Sequence, residues 1–264
     1  MSKRDNGSNG SAATASPKAK DKDAKPASPP APLLPMLYKR VEFLNAESHG
    51  KLRYQDQGDF SFAATANYVP LTAMEFGDAA PHTPIVFAGA GEGLEAVAIT
   101  GRNRGENQQI GSDGKWRAGS YIPAYVRRYP FILISGPQPD LLSLGADLTA
   151  TSFNQSGTGL AIYDNGAPSE TAKRALQFCL AYQQAALATG QICRAMEAAG
   201  LLVERSADFT LPQGNSRVSG FKIVDEQAFN TLSDEAFLKL RKAGALPAIN
   251  MHLLSMKSWR NLLG

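Results

Sequence analysis

Three glycines separate two apolar runs in the stretch IVFAGAGEGLEAVAIT, which begins at Ile85. A dinucleotide-binding loop requires G-x-G-x-x-G followed by a helix of several turns, but Leu94 stands where the third glycine would be needed. Only seven residues follow Gly93 before the next glycine, and three of them are β-branched, which favours a strand. We therefore predict two strands, 85–88 and 94–100, joined by a glycine hairpin loop that does not bind phosphate.

The same signals place further strands along the chain. Short apolar or alternating runs lie between loops rich in Gly, Pro, Asn and Asp, as is typical of strands and turns. Pro130 ends one helical turn, and a buried strand follows it. The additional predicted strands are 38–43, 51–62, 131–135, 159–163, 207–211 and 217–224.

Helical signals are concentrated in the second half of the chain. Ser169 is the predicted N-cap of one long helix near 170–199, whose apolar residues recur at helical spacing and which Gly200 ends. Asp225 and Ser233 are the predicted caps of two short helices, and a last helix begins near Pro247. The fold class is therefore α+β, with an antiparallel-rich sheet in the first half and helices mainly in the second half.

The start of the chain differs in composition from the rest. Residues 1–30 contain no Leu, Ile, Val or aromatic side chain and are rich in Ser, Ala, Lys and Pro. They carry six basic and three acidic residues, whereas the remaining residues carry 21 of each. We predict a disordered tail at 1–35 and a single α+β domain at 36–264. Because the domain has no basic excess, the composition does not indicate nucleic-acid binding.

Targeting signals and cysteines indicate a compartment. No apolar segment follows the charged start MSKRDNGSNG, and no apolar run reaches the roughly 18 residues of a membrane span. Cys179 and Cys193 lie 14 residues apart in the predicted long helix, a separation of about 21 Å that excludes a disulfide between them. These observations predict a soluble cytoplasmic protein with reduced, buried thiols.

Six blocks of the sequence look familiar together: YVPLTAMEF (68–76), PHTPIVF (81–87), YIPAYVRRYPF (121–131), GLAIYDNGAPSE (159–170), GFKIVDEQAFNTL (220–232) and INMHLLSMKSWRNLL (249–263). They resemble the bacterial SapC family, and the resemblance extends over about 36–264. The family is described as associated with the bacterial surface layer (S-layer), so the resemblance implies an accessory role in envelope biology. It brings no catalytic mechanism, catalytic residue or cofactor, and we expect none.

Motifs of metal, nucleophile and phosphate-loop chemistry are missing from the sequence. The candidate ligand-binding residues are instead Arg127 and Arg128, which lie among Tyr121 and Tyr125, with Trp116 as a further aromatic candidate. Arginine beside aromatic rings binds carboxylate, phosphate or sugar acids through paired hydrogen bonds and stacking. The alternative is that one arginine forms an internal ion pair and the other is solvated.

The sequence is compatible with two functions. The first is a non-catalytic binding or accessory protein of the surface layer or envelope, with an unknown protein partner. The second is an enzyme or binding protein for an anionic small molecule or glycan, centred on Arg127 and Arg128. A pocket that gathers these arginines with a carboxylate and a tyrosine favours the second function, whereas a flat arginine surface beside exposed Leu or Trp favours the first. The sequence decides neither the partner nor whether the chain forms a homo-oligomer, and it favours a protein without catalysis.

Overall fold

The computed structural model of the protein describes residues 34–135, 142–212 and 214–263. Residues 1–33 of the predicted disordered tail lie outside the described residues, and the domain boundary at residue 36 stays a prediction. The described strands are β1 (Val41–Phe43), β2 (Arg53–Tyr54), β3 (Tyr68–Pro70), β4 (Ile85–Ala88), β5 (Glu95–Ile99), β6 (Phe131–Ser135), β7 (Leu142–Asp147), β8 (Phe153–Asn154), β9 (Leu160–Ala161), β10 (Tyr163–Asp164), β11 (Ala167–Pro168), β12 (Leu202–Leu211) and β13 (Gly214–Val224).

The helices begin where the capping residues of the sequence place them. Side-chain oxygens of Ser169, Asp225 and Ser233 accept hydrogen bonds from the first turns of the fourth, fifth and sixth helices, which confirms all three predicted caps. Gly200 follows the 29-residue fourth helix with a φ of 70°, a left-handed conformation that glycine adopts readily. The helices are α1 (Ala46–His49), α2 (Phe76–Ala79), α3 (Ala124–Arg127), α4 (Glu170–Ala198), α5 (Glu226–Asn230), α6 (Asp234–Lys242) and α7 (Ala245–Ser255), with 3-10 turns at Ser61–Ala63, Ala73–Glu75, Gly91–Gly93 and Met256–Leu262.

The glycine-rich stretch forms the predicted hairpin. Strands β4 and β5 pair antiparallel, with Ala88 opposite Glu95 at the loop end. The amide of Gly91 in the loop donates a hydrogen bond to Oε2 of Glu197 on α4, at 3.1 Å. The loop therefore presents this amide to a carboxylate of the protein itself.

The described strands form four antiparallel sheets, with the orders β1-β7-β6, β10-β11, β8-β2-β9 and β12-β13-β4-β5-β3. The α+β class is thus confirmed. The predicted strand at 51–62 is wrong beyond β2, because a loop and a 3-10 turn follow Tyr54. The strands predicted at 207–211 and 217–224 are too short. Both belong to a long β12–β13 hairpin whose charged, exposed residues weaken the apolar pattern.

The five-stranded sheet is covered on both faces, which explains its continuous apolar runs. Ile85 and Phe87 of β4 pack in one core cluster with Met196 of α4, whereas Val86 packs on the opposite face. Helix α4 also contributes Cys179 to a second cluster, formed with β6 and β7. One long helix therefore packs against two sheets. The N-terminal half of α4 packs against β6, the strand that follows Arg127 and Arg128 in the chain.

Candidate functional site

The two candidate arginines lie at the end of the one-turn helix α3, and their side chains have opposite environments. Arg127 is exposed, whereas Arg128 is 8% exposed. Arg127 donates from Nε to the carbonyl of Ile122 (3.0 Å) and from a terminal nitrogen to the hydroxyl of Tyr121 (3.1 Å). Its guanidinium carbon also lies 5.5 Å from the centre of the Phe178 ring. These contacts hold Arg127 in place while leaving it in contact with solvent.

A buried carboxylate anchors this helix. Glu75 is 6% exposed, and its Oε1 accepts hydrogen bonds from the amide of Ala124 (2.6 Å) and from the hydroxyl of Tyr121 (2.9 Å). Its Oε2 accepts hydrogen bonds from the amide and the hydroxyl of Thr72. Burial, and then the charge of Glu75, raises the pKa of Tyr121 to about 12, so Tyr121 stays a neutral donor. Glu75 therefore positions Arg127 through Tyr121.

Arg128 lies in a cage of tyrosine rings. Its guanidinium carbon is 4.4 Å from the ring centre of Tyr182, 4.5 Å from that of Tyr125 and 5.5 Å from that of Tyr38. Burial raises the pKa of all three tyrosines above the ordinary value, so none of them supplies a negative charge. Nε of Arg128 is buried and has no hydrogen-bond partner among the described residues. The rings offset part of the cost of burying this cation, but they leave its charge unneutralised.

A pocket of about 300 Å³ lies beside this cage. Arg127 and Arg128 line it together with Arg174 of α4, and none of the described lining residues is acidic. Among the described residues, no carboxylate forms an ion pair with any of these three arginines. The other side chains that line the pocket are mainly aromatic or apolar, and the largest of them are Tyr54, Phe131 and Phe178. We call this cavity the arginine pocket.

Helix α4 supplies one wall of the arginine pocket. Thr171, Arg174 and Phe178 follow one another at intervals of three and four residues, which places them on one face of the helix. Thr171 belongs to the first turn of α4, so the positive end of the helix dipole lies at the pocket. Cys179 also lines the pocket, and burial raises its pKa to about 11, which keeps its thiol protonated at neutral pH.

The SapC family model matches residues 44–262, which is most of the chain. The chain belongs to the SapC family. No curated protein and no solved structure is significantly similar to it.

The candidate residues of this SapC-family protein separate into three groups. Arg127 and Arg128 line the arginine pocket. Tyr121 and Tyr125 do not line it: the hydroxyl of Tyr121 accepts a hydrogen bond from Arg127, and the ring of Tyr125 lies against the guanidinium of Arg128. Trp116 is 7% exposed, packs edge-on against Phe60 and does not line the pocket, so its part in ligand binding stays a prediction. The alternative prediction is met in one half only: Arg127 is exposed to solvent, whereas neither arginine forms an internal ion pair among the described residues.

Arg174, Phe178 and Tyr182 also belong to the site, and we did not predict them from the sequence. The three residues are spaced at i, i+4 and i+8 on the predicted long helix, which places them on one face of it. The sequence does not show which part of the protein packs against that face. The two free cysteines are buried, as predicted. In the described part of the SapC-family chain, no three His, Cys, Asp or Glu side chains come together as a metal site. No described helix combines the length and apolar character that crossing a bilayer requires.

Proposed function

We propose that this SapC-family protein binds a small anionic molecule, bearing a carboxylate or phosphate group, in the arginine pocket. The observation that carries the proposal is the environment of Arg128. This cation is largely buried, has no described counterion, and lines a cavity shared with two more arginines. A buried unpaired charge costs several kcal/mol, and cavities that retain such a group are candidates for ligand binding.

The pocket suits an anion attached to an apolar or ring-shaped body. Three guanidinium groups provide paired donors that match the geometry of carboxylate and phosphate oxygens. Tyr54, Phe131 and Phe178 provide apolar surface for the rest of the ligand. The proposed activity is ligand binding, and Cys179 is assigned no role as a nucleophile because burial keeps its thiol protonated.

The link of this activity to the surface layer or envelope rests on the family name and on the sequence, and it stays a prediction. We propose that the protein acts in the cytoplasm, where it serves proteins of the envelope. Separation of cells into cytoplasm, periplasm and surface fractions, followed by detection of the native chain, tests this location. Recovery of the protein in the surface fraction would contradict it.

Binding is tested with two probes that carry the same anionic group. Phenyl phosphate offers a ring and a phosphate, and inorganic phosphate offers the anion alone. We expect calorimetry to detect phenyl phosphate binding to the full chain, and we expect the Arg127→Ala/Arg128→Ala double variant to abolish it. Arg174→Gln removes an exposed pocket arginine without disturbing the core, and it should weaken binding at least tenfold. Arg104→Gln, an exposed arginine away from the pocket, is the matched control.

Three results would overturn the proposal. Absence of binding by the unmodified protein at millimolar phenyl phosphate is the first. Equal affinity of Arg174→Gln and Arg104→Gln is the second. The third is unchanged binding by a folded double variant.

A further inference from the structure

A second, larger cavity adjoins the arginine pocket. It has a volume of about 530 Å³, and Tyr54 and Arg127 line both cavities. Its other lining residues come mainly from the 56–62 segment and from the loop at 149–152. We call it the polar cleft. Because the two cavities share two side chains, a ligand held in one of them can extend into the other.

The two cavities differ in charge. The arginine pocket has three basic and no acidic side chains among its described lining residues. The polar cleft has Lys39 and Arg127 balanced by Asp56 and Asp59. A ligand that occupies both cavities is therefore expected to be anionic at one end and uncharged but polar at the other.

The two carboxylates of the polar cleft have free acceptor capacity. Asp56 accepts a hydrogen bond through Oδ1 from the amide of Gly58 (2.8 Å), and Asp59 accepts two through Oδ1 from the amide and hydroxyl of Ser61. The Oδ2 atom of each accepts no hydrogen bond from a described residue. The hydrogen bonds from Ser61 lower the pKa of Asp59, so it stays ionised at neutral pH. Ionised carboxylate oxygens are strong acceptors for the hydroxyl groups of a ligand.

Aromatic rings line the polar cleft beside these carboxylates. The rings of Phe62 and Tyr129 are stacked, with centres 4.0 Å apart, and Phe60 and Tyr54 also line the cleft. Burial raises the pKa of Tyr129 to about 12, so its hydroxyl stays protonated. Apolar ring faces next to a few polar groups are typical of sites for compact molecules that expose both C–H and O–H groups.

The wall that carries the carboxylates is fixed by internal hydrogen bonds. Lys115 donates from Nζ to the carbonyls of Gln57 (2.9 Å) and Gly58 (3.1 Å). The amide of Gln55 donates to the carbonyl of Ser152, which joins the two loops of the cleft. A cleft held in this way loses little conformational entropy on binding.

We propose that the polar cleft binds the hydroxyl-rich part of the ligand whose anionic group occupies the arginine pocket, so that the ligand class is an acidic saccharide. This inference rests on the proposed function and deepens it. Hydroxyl groups donate to Asp56 and Asp59, and the C–H face of the sugar ring lies against the aromatic side chains. Each cavity alone falls within the range of about 300–1,000 Å³ found for ligand sites.

The test compares two phosphate monoesters, glucose 6-phosphate and phenyl phosphate, of which only the first carries sugar hydroxyls. We expect the Asp56→Asn/Asp59→Asn double variant to bind glucose 6-phosphate at least tenfold more weakly and phenyl phosphate with unchanged affinity. Asparagine keeps the Oδ1 acceptors that hold the turns, so the fold should survive, and urea unfolding checks this. Asp113→Asn is the matched control, since Asp113 accepts a similar turn hydrogen bond from Lys115 outside both cavities.

The outcomes separate this inference from the proposed function. If Arg174→Gln weakens both monoesters while the folded aspartate double variant binds both normally, the arginine pocket stands and the saccharide inference is wrong. The same inference fails if the unmodified protein binds phenyl phosphate but not glucose 6-phosphate. If neither monoester binds, both proposals fail.

Discussion

The guanidinium carbon of Arg128 lies 4.4 Å from the ring centre of Tyr182, a residue 54 positions later in the chain. Tyr125 lies on the same guanidinium at 4.5 Å. A desolvated contact between a cation and an aromatic ring is worth about 2 kcal/mol. Burying a charge without a partner costs several kcal/mol, so a single ring does not offset it. The relationship predicts that Arg128 serves binding at the expense of stability.

Replacement of Arg128 by methionine tests whether this arginine lowers the stability of the protein and is needed for binding. Methionine fills a similar volume without a charge, so we expect the free energy of unfolding in urea to stay the same or to rise by about 1–4 kcal/mol. Binding of phenyl phosphate should be lost in the same variant. A less stable protein with unchanged affinity would show that the arginine stabilises the core and has no part in binding.

Substitution of Glu75 by glutamine should disturb both stability and binding. The amide group of glutamine cannot accept all four hydrogen bonds that the carboxylate accepts from Thr72, Tyr121 and Ala124. We expect the free energy of unfolding to fall by about 2–4 kcal/mol, because at least one buried donor loses its partner. Phenyl phosphate should also bind more weakly, since Tyr121 holds Arg127. Glu47→Gln on the exposed face of α1 is the control, and equal stability of the two variants would contradict the prediction.

His252 is fully buried in α7 and joins two strands through its ring. Its Nε2 accepts from the amide of Val224 (3.0 Å), and its Nδ1 lies 2.7 Å from the carbonyl of Ile85, to which it must donate. Only the neutral imidazole with a proton on Nδ1 satisfies both partners. Burial accordingly lowers the pKa of His252 to about 4.

The stability of the protein should therefore depend on pH between about 4 and 6.5. In this range the unfolded chain binds a proton at residue 252 and the folded chain does not, so stability falls as the pH falls. We expect a loss on the order of 3 kcal/mol in urea unfolding across the window. The slope should be smaller in His252→Gln and unchanged in His82→Gln. Equal slopes in all three proteins would refute the assignment to His252.

Local rules were sufficient for much of the fold. Ser169, Asp225 and Ser233 cap helices because a short side chain next to free amides needs no distant partner. The glycine hairpin was predictable because Leu94 excludes the dinucleotide motif and the β-branched residues beyond it favour strand. The long β12–β13 hairpin was predicted too short, since its register depends on cross-strand pairs that alternation in one strand does not reveal.

The candidate site was only half visible in the sequence. Arg127 and Arg128 stood out because they are adjacent and surrounded by tyrosines. Arg174 and Tyr182 reach them only through the packing of α4 against β6, a tertiary contact that no local pattern specifies. The absence of a counterion near Arg128 likewise depends on where the acidic residues of the described chain end up after folding.

The ring of His252 also has a consequence for biosynthesis. Strand β4 shares a single residue pair with β13, and its Ile85 main chain is bonded instead by His252 and by Ser255 Oγ, which accepts from the Ile85 amide at 3.0 Å. Both side chains belong to α7 and are translated long after β4. A nascent chain interrupted before α7 therefore exposes an open strand edge, which is a template for aggregation that a chaperone would have to shield.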